Sequence, residues 1–358
     1  MEKTQTNAAR VPRRIDRGLA VAAVRAAPFA LGYLTPEAFA LHQARFSGRL
    51  LGAVAFSATR PRIAAPACPY AWVDMPVLNG DAMFEVWTSA QPVVRADADG
   101  LAAARNSDIL FGCLPMELDC RLDTASYVAY SRIFDFIDRE GYGHLLRVWN
   151  YVPHINADDA GLERYARFNV GRHEAFSAKG RIIGTDTPAA SALGSRGTQL
   201  TVYFLAAKQP GQLVENPRQT SAFNYPAQYG PRSPTFARAM LMQSAGEPQL
   251  FVSGTSSIVG HATVHAGNAP AQAQETVANL LTVIAQAQRA GFDASSAQAH
   301  LLLKAYLRRP ADLAMARGCL TKAFGAATTI AYLQADVCRA DLLLEVEAVY
   351  LNAAVPAH

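Results

Sequence analysis

With 358 residues, the chain is long enough for two domains of roughly 150 residues each, or for one large domain with internal duplication. Hydrophobic residues make up 51% and charged residues 17%, with a mean hydropathy of +0.05, which excludes a disordered tail or linker. The net charge is only +4, and the 28 arginines and 5 lysines are scattered without a run, which excludes a nucleic-acid-binding stripe and predicts no nucleic-acid partner.

In chain order, Arg10, Arg13, Arg14 and Arg17 precede a short apolar stretch, residues 19–24, that Arg25 interrupts. It is too short and too charged for a signal peptide or a membrane span, so no membrane partner is expected and an amphipathic helix or a frayed arm is left. Residues 1 to about 40 read as an irregular arm, followed by strands at 50–56, 83–87 and 109–114. Tyr130, Ile133, Phe134 and Ile137 then recur at helical spacing, with Asp123 or Thr124 as N-cap and Gly141 as the stop. The β-formers of LLRVWNYV predict a strand over 145–152, and Asp158 and Asp159 lead into a helix over 161–176.

The second half repeats this order. A strand at 249–253 leads through a Gly- and Ser-rich turn to a helix whose stripe is Val277, Leu280, Leu281 and Ile284, between Pro270 and Gly291. A strand at 301–307 and a helix at 311–324 follow, so the order of elements suggests two copies of one βαβα unit. Residues 180–197, dense in Gly, Pro, Ser and Thr, mark a boundary or a functional loop. Two alternating strands, 328–338 and 342–348, close the chain. A two-residue turn at Arg339-Ala340 would join them as a hairpin, with Gln334 opposite Glu345 and Tyr332 opposite Glu347.

Glu345 and Glu347 thus share a strand face, which is either a solvated surface or a general acid or base whose pKa a neighbouring charge and burial raise. Arginines are the second signal. Arg147 lies in LLRVWNYV, and Arg164 and Arg172 fall about 80° apart on the following helix. Arg218 and Arg232 lie in a segment with four prolines and two tyrosines, Tyr225 among them, whose order needs a reason. Guanidinium groups bind carboxylates bidentately, so this set suits an anionic organic substrate, although some of these residues, as the spacing of Glu163 and Arg167 suggests, serve as surface pairs. Residues 252–265 (VSGTSSIVGHATVH) resemble a backbone-amide cradle for a carboxylate, with Gly254 free to take positive φ. His261 and His265 have metal-ligand spacing, but Gly260 and Gly267 argue against the helix it needs, so no metal is expected. There is no dinucleotide fingerprint, P-loop or nucleophile elbow, hence no cofactor. The five cysteines have no CxxC pair, and a reducing cytoplasm is the natural compartment.

SGTSSIVGH, GNAPAQAQETVANLLTVI, LLKAYLRR and LLLEVEAVY together resemble the RidA (YjgF) fold, a mixed sheet backed by two helices. RVWNYVPHIN, GLERYARFNVGRHEAF, ENPRQTSAFNYPAQYGPRSPTFARA and VCRADLLLEVE resemble the chorismatase family, including its 3-hydroxybenzoate synthases. The resemblance implies an α/β fold of two RidA-like units, a divergent one over 1–185 and a catalytic one over 186–358. It implies cleavage of chorismate to pyruvate and either a hydroxybenzoate (3-hydroxy, sometimes also 4-hydroxy) or a dihydroxycyclohexadiene carboxylate, without metal or organic cofactor. Glu345 matches the family's acid. Cys338 and Ser256 match positions that distinguish the product branches: Cys338 favours hydroxybenzoate, and Ser256 departs from the small residue expected and leaves the branch open. A RidA-like imine deaminase and a non-catalytic binding module are the alternatives, and the assembly is a monomer or a homotrimer.

Overall fold

In the computed structural model of the chain, residues 29–243, 248–294 and 300–351 are described. The apolar stretch at 19–24 lies outside them. Residues 29–40, the described part of the expected irregular arm, are regular. β1 (Phe29–Leu34) leads into α1 (Pro36–Arg45), because Thr35 accepts the Ala38 N–H and Pro36 presets the first helical φ. β2 (Leu50–Ser57), β3 (Tyr70–Asp74) and β4 (Ala82–Ser89) complete a four-stranded sheet in the order β1-β4-β2-β3.

The second sheet contains β5 (Val94–Arg95), β6 (Ala102–Arg105), β7 (Ile109–Glu117), β8 (His144–Pro153), β9 (Ala189–Ser195) and β10 (Gln199–Ala207), in the order β5-β6-β7-β10-β8-β9. Two helices cover it, α2 (Leu122–Glu140) and α3 (Arg164–Ala178). Gly141 ends α2 in the left-handed region, at φ 77°, as expected of the stop residue. The N-cap is Arg121, not Asp123 or Thr124; Asp123 sits in the first turn, accepts the Thr124 N–H and is held by Arg121 at 2.6 Å.

The third sheet repeats the second. β11 (Gln212–Val214), β12 (Ala239–Met242), β13 (Gln249–Thr255), β16 (His300–Leu307), β17 (Thr329–Gln334) and β18 (Leu344–Leu351) run β11-β12-β13-β18-β16-β17, under α4 (Ala269–Arg289) and α5 (Leu313–Phe324). A small hairpin, β14 (Ile258–Val259) and β15 (Ala262–Thr263), precedes α4. The two expected units, each a mixed sheet backed by helices, are both present. The first sheet is a shorter version with the same core order: in all three the last strand lies between an antiparallel neighbour (β1, β7 or β13) and a parallel pair.

Two expectations about connections are overturned. Residues 180–197 are not a long loop, since β9 occupies Ala189–Ser195, and the expected boundary at 185/186 falls before two strands, β9 and β10, that belong to the second sheet. The sheet changes between Ala207 and Gln212. Nor do the last two strands form a hairpin. β16 lies between them, parallel to β17 and antiparallel to β18, so Glu345 faces Tyr306 and Glu347 faces Lys304.

The sheets close a ring. Leu193 bridges Val337, Leu333 bridges Val77, and the Arg196 N–H donates to the Asp74 carbonyl, so each outer strand hands on to the next sheet. Their inner faces share one core, with Phe56, Trp149, Tyr203 and Tyr306 fully buried. Among the described residues, no helix is long and apolar enough to cross a membrane.

Candidate active site

Where the second sheet meets the third, a cavity of about 520 Å³ opens between α3 and β9 on one side and β13 and β18 on the other. The proline-rich segment supplies another wall through two short 3₁₀ turns, Ala222–Asn224 and Ala227–Tyr229, which bring Tyr225 and Tyr229 to the cavity. Glu345 lines it and is only 4% exposed. Its carboxyl fits because residue 254 is glycine: a Cβ there would collide with a Glu345 oxygen. Gly254 is thus needed for close approach and not for the positive φ expected of it. Its N–H donates to Ser191 Oγ at 3.0 Å, so the expected amide cradle is already engaged at that point. Ser256 Oγ donates to the Leu344 carbonyl at 2.9 Å and lies 3.5 Å from Glu345 Oε2. Burial first, and then the charge of Glu347, push the Glu345 carboxyl from an ordinary 4.5 up to about 8, against the pull of Arg147, the Ser256 hydroxyl and Arg238. The group is therefore mostly protonated at neutral pH.

Three arginines reach the same cavity: Arg172, Arg238 and Arg339. Arg172 is 1% exposed, stacks 5.1 Å from the Phe168 ring, and donates one long bond to Asn169 at 3.3 Å. Arg238 donates to the Thr220 carbonyl at 2.7 Å and to the Tyr225 hydroxyl at 2.8 Å. Arg339 lies 3.9 Å over the Tyr229 ring and donates to the His261 carbonyl at 2.9 Å. Each retains a buried guanidinium nitrogen without a partner, and among the described residues none forms a salt bridge. Buried cations are costly unless paired, so this is a site built to receive negative charge from a ligand.

Comparison with known proteins agrees. The family model for the N-terminal part of FkbO/Hyg5-like chorismatases matches residues 85–206. A chorismatase of Streptomyces rapamycinicus is 38% identical over 292 residues, covering 80% of this chain and 87% of its own. The chain belongs to the chorismatase family. A 3-hydroxybenzoate synthase of Streptomyces hygroscopicus is 35% identical over 288 residues, 78% of this chain and 84% of its own. A chorismatase crystal structure at 1.08 Å superposes with a TM-score of 0.82 at 31% identity, covering 91% of this chain and 99% of that one.

In this chorismatase Glu347 has a different fate from Glu345. Although burial acts to raise its pKa, Lys304 at 2.8 Å and Arg147 at 2.8 Å hold it below the ordinary carboxylate value, with bonds from Ser191 Oγ at 2.6 Å and Trp149 Nε1 at 2.7 Å. Lys304 is shared with Glu85, at 2.5 Å. Arg147 is therefore consumed by an internal ion pair and does not line the cavity.

Three other expected arginines also lie outside the cavity lining. Arg164 donates to the Pro153 carbonyl at 2.7 Å, Arg218 ties the proline-rich segment to α4 through Glu275 at 2.5 Å and Asn279 at 2.7 Å, and Arg232 is exposed. Arg218 thus helps to order that segment, together with Gln219, Arg238 and backbone bonds to Gly260. Arg167 pairs with Asp159 at 3.3 Å and Asp123 at 3.5 Å, not with Glu163. Arg172, Tyr225, Ser256, Cys338 and Glu345 all line the cavity. Sequence reasoning missed Arg238 and Arg339. The second was assigned to a tight turn that does not exist, and the first had no signal beyond its place after the proline-rich segment. Burial, and next the charge of Glu345, push the Cys338 thiol up to about 12, so it stands in the cavity uncharged. His261 Nδ1 lies 3.1 Å from the Tyr229 hydroxyl and His265 sits beside Glu275 at 3.7 Å; among the described residues no side-chain group could hold a metal ion.

Proposed function

We propose that the protein cleaves chorismate into pyruvate and 3-hydroxybenzoate, with Glu345 as the acid. The observation that carries this reading is a buried, protonated carboxyl in a cavity shared with three arginines that lack salt-bridge partners among the described residues. Chorismate carries two carboxylates, which Arg172, Arg238 and Arg339 would hold bidentately. Glu345 donates its proton to the methylene carbon of the enolpyruvyl ether, and the ether becomes an oxocarbenium. The neighbouring ring hydroxyl oxygen then bonds to the ring carbon that carries the ether as that C–O bond breaks and pyruvate leaves; the hydroxyl proton is given up and returned to the same oxygen as the resulting epoxide opens, and the ring C–H proton lost on aromatisation returns to Glu345. The two products together contain the atoms of chorismate, with no water added. Tyr225, Tyr229 and the stacked Arg339 shield the cation from bulk solvent, and Cys338 gives an uncharged wall consistent with the hydroxybenzoate branch.

The cavity is built within one chain, whose three sheets close on themselves, so the site needs no second copy and we assign a monomer. Free thiols at Cys68, Cys113, Cys120, Cys319 and Cys338 suit a reducing cytoplasm. Incubating the purified protein with chorismate should release pyruvate, measured by coupled reduction to lactate, together with 3-hydroxybenzoate on chromatography. A dihydroxycyclohexadiene carboxylate in its place would move the protein to the hydrolytic branch. No pyruvate, with turnover of 2-iminobutyrate, would replace the reading by imine deamination.

A further inference from the structure

Cys338 and Arg339 reach the cavity from residues 335–343, the link between β17 and β18, and no sheet ladder runs through it beyond the bridge at Val337. The ends of this link are held by backbone bonds at Ala335, Asp336 and Leu343 and by Gln272 at Asp341 and Leu343, while the carbonyls on either side of Cys338 and Arg339 are gathered by one side chain. Arg308, immediately after β16 and 18% exposed, donates Nε to the Leu342 carbonyl at 2.9 Å. Its Nη2 donates to the carbonyls of Val337 at 3.2 Å and Arg339 at 3.0 Å, and its Nη1 to Asp336 Oδ1 at 2.5 Å. Both terminal nitrogens lie 3.1 Å from Asn156 Oδ1, and Asn156 Nδ2 in turn donates to Glu163, which also lines the cavity. Three carbonyls that bracket Cys338 and Arg339 therefore converge on one rigid fork, and through Asn156 the same fork ties the third sheet to the loop before α3.

We propose that Arg308, which does not itself line the cavity, is a positioning residue that sets where Arg339 and Cys338 stand against the substrate. The arrangement needs a planar guanidinium. Its five N–H groups diverge to five oxygens in a fixed geometry, whereas a lysine ammonium presents three donors from a single point and cannot span the carbonyls at 337, 339 and 342 together. Glu345 sits on β18, whose partners are strands, so loosening the link leaves the acid in place while misplacing the Arg339 guanidinium. The consequence is a defect in binding rather than in proton transfer.

This inference rests on the chorismate reading, and the test separates the two. Arg308→Lys is expected to raise KM for chorismate by about tenfold or more while kcat changes by no more than about threefold, since a misplaced charge-assisted contact weakens binding without removing the acid. Asn156→Ala, which leaves the three carbonyl bonds intact, should raise KM by about two- to threefold and serves as the readout if the first variant does not fold. Guanidinium chloride at millimolar concentration should restore KM in Arg308→Ala, and ammonium chloride should not. Variants with wild-type KM and kcat and only a lower Tm would overturn the positioning role. A wild-type protein that fails to turn over chorismate would instead remove the function reading on which it depends.

Discussion

Two buried clusters of charge meet at Ser191, which lines the cavity and donates to Glu347. In the cluster on the inner face of the sheets, Glu85 and Glu347 are matched by Lys304 and Arg147. In the cavity, Arg172, Arg238 and Arg339 have no salt-bridge partner among the described residues, and Glu345, which lines it with them, is mostly protonated at neutral pH. Burial acts on both in the same direction. What differs is the balance of charge: the inner cluster is matched within the chain, whereas the cavity, lined by three arginines and by the carboxyls of Glu163 and Glu345, keeps an excess of positive charge for a dianion to meet. The two glutamates are two residues apart on one strand and have similar burial, yet their neighbours drive their pKa values in opposite directions.

The largest effect should come from removing the one proton that the cavity can give. Glu345→Gln keeps shape and hydrogen bonding, so KM should hold while kcat falls by about 10² to 10⁴, measured by pyruvate release. An unchanged kcat would remove Glu345 as the acid. Next in size is a break in the balanced cluster. Lys304→Met leaves two buried carboxylates with one cation and should destabilise the protein by about 3–5 kcal/mol, seen as a lower thermal midpoint. Arg172→Met is the matching change in the unbalanced cluster, and its sign should be reversed. The substrate-free protein loses an uncompensated buried cation, so its midpoint should hold or rise, while KM for chorismate rises by about tenfold or more. Equal destabilisation by the two substitutions would erase the distinction between the clusters.

The sequence made some of this contrast visible and hid the rest. Alternation along 342–348 put Glu345 and Glu347 on one face, and helical spacing placed Arg172 on α3, because both patterns depend only on local periodicity. The fate of Arg147 could not be read locally, since its partner lies 200 positions away. The same holds for the last two strands: a short link looks like a hairpin until β16, brought in from before α5, separates them. Arg339 was hidden for that reason. Arg238 was hidden because the proline-rich segment preceding it has no period from which to infer a facing. The repeat of βαβα order was legible in the two longer units, whereas the first sheet, which has a single helix, did not show its kinship until its strand order was seen.

A last test is the pH dependence of stability, which isolates Glu345 from the other titrating groups. A carboxyl whose folded pKa is raised from 4.5 to about 8 binds more proton in the folded than in the unfolded chain between those values. Its favourable contribution is fully present below the unfolded pKa, declines as pH rises from about 4.5, and is gone above about 8. Glu347, whose pKa is lowered, contributes in the opposite sense, but its window lies below 4.5. His173, lowered from 6.5 by burial and then by Arg232, contributes with opposite sign as pH falls below 6.5, so the wild-type curve alone is ambiguous. Subtracting the curve of Glu345→Gln removes His173 and leaves the carboxyl. The thermal midpoint of wild type relative to the variant should therefore fall between pH 4.5 and 8 and flatten above. A flat difference would mean that Glu345 ionises normally and the cavity already holds its fourth charge, in which case the contrast with the inner cluster fails.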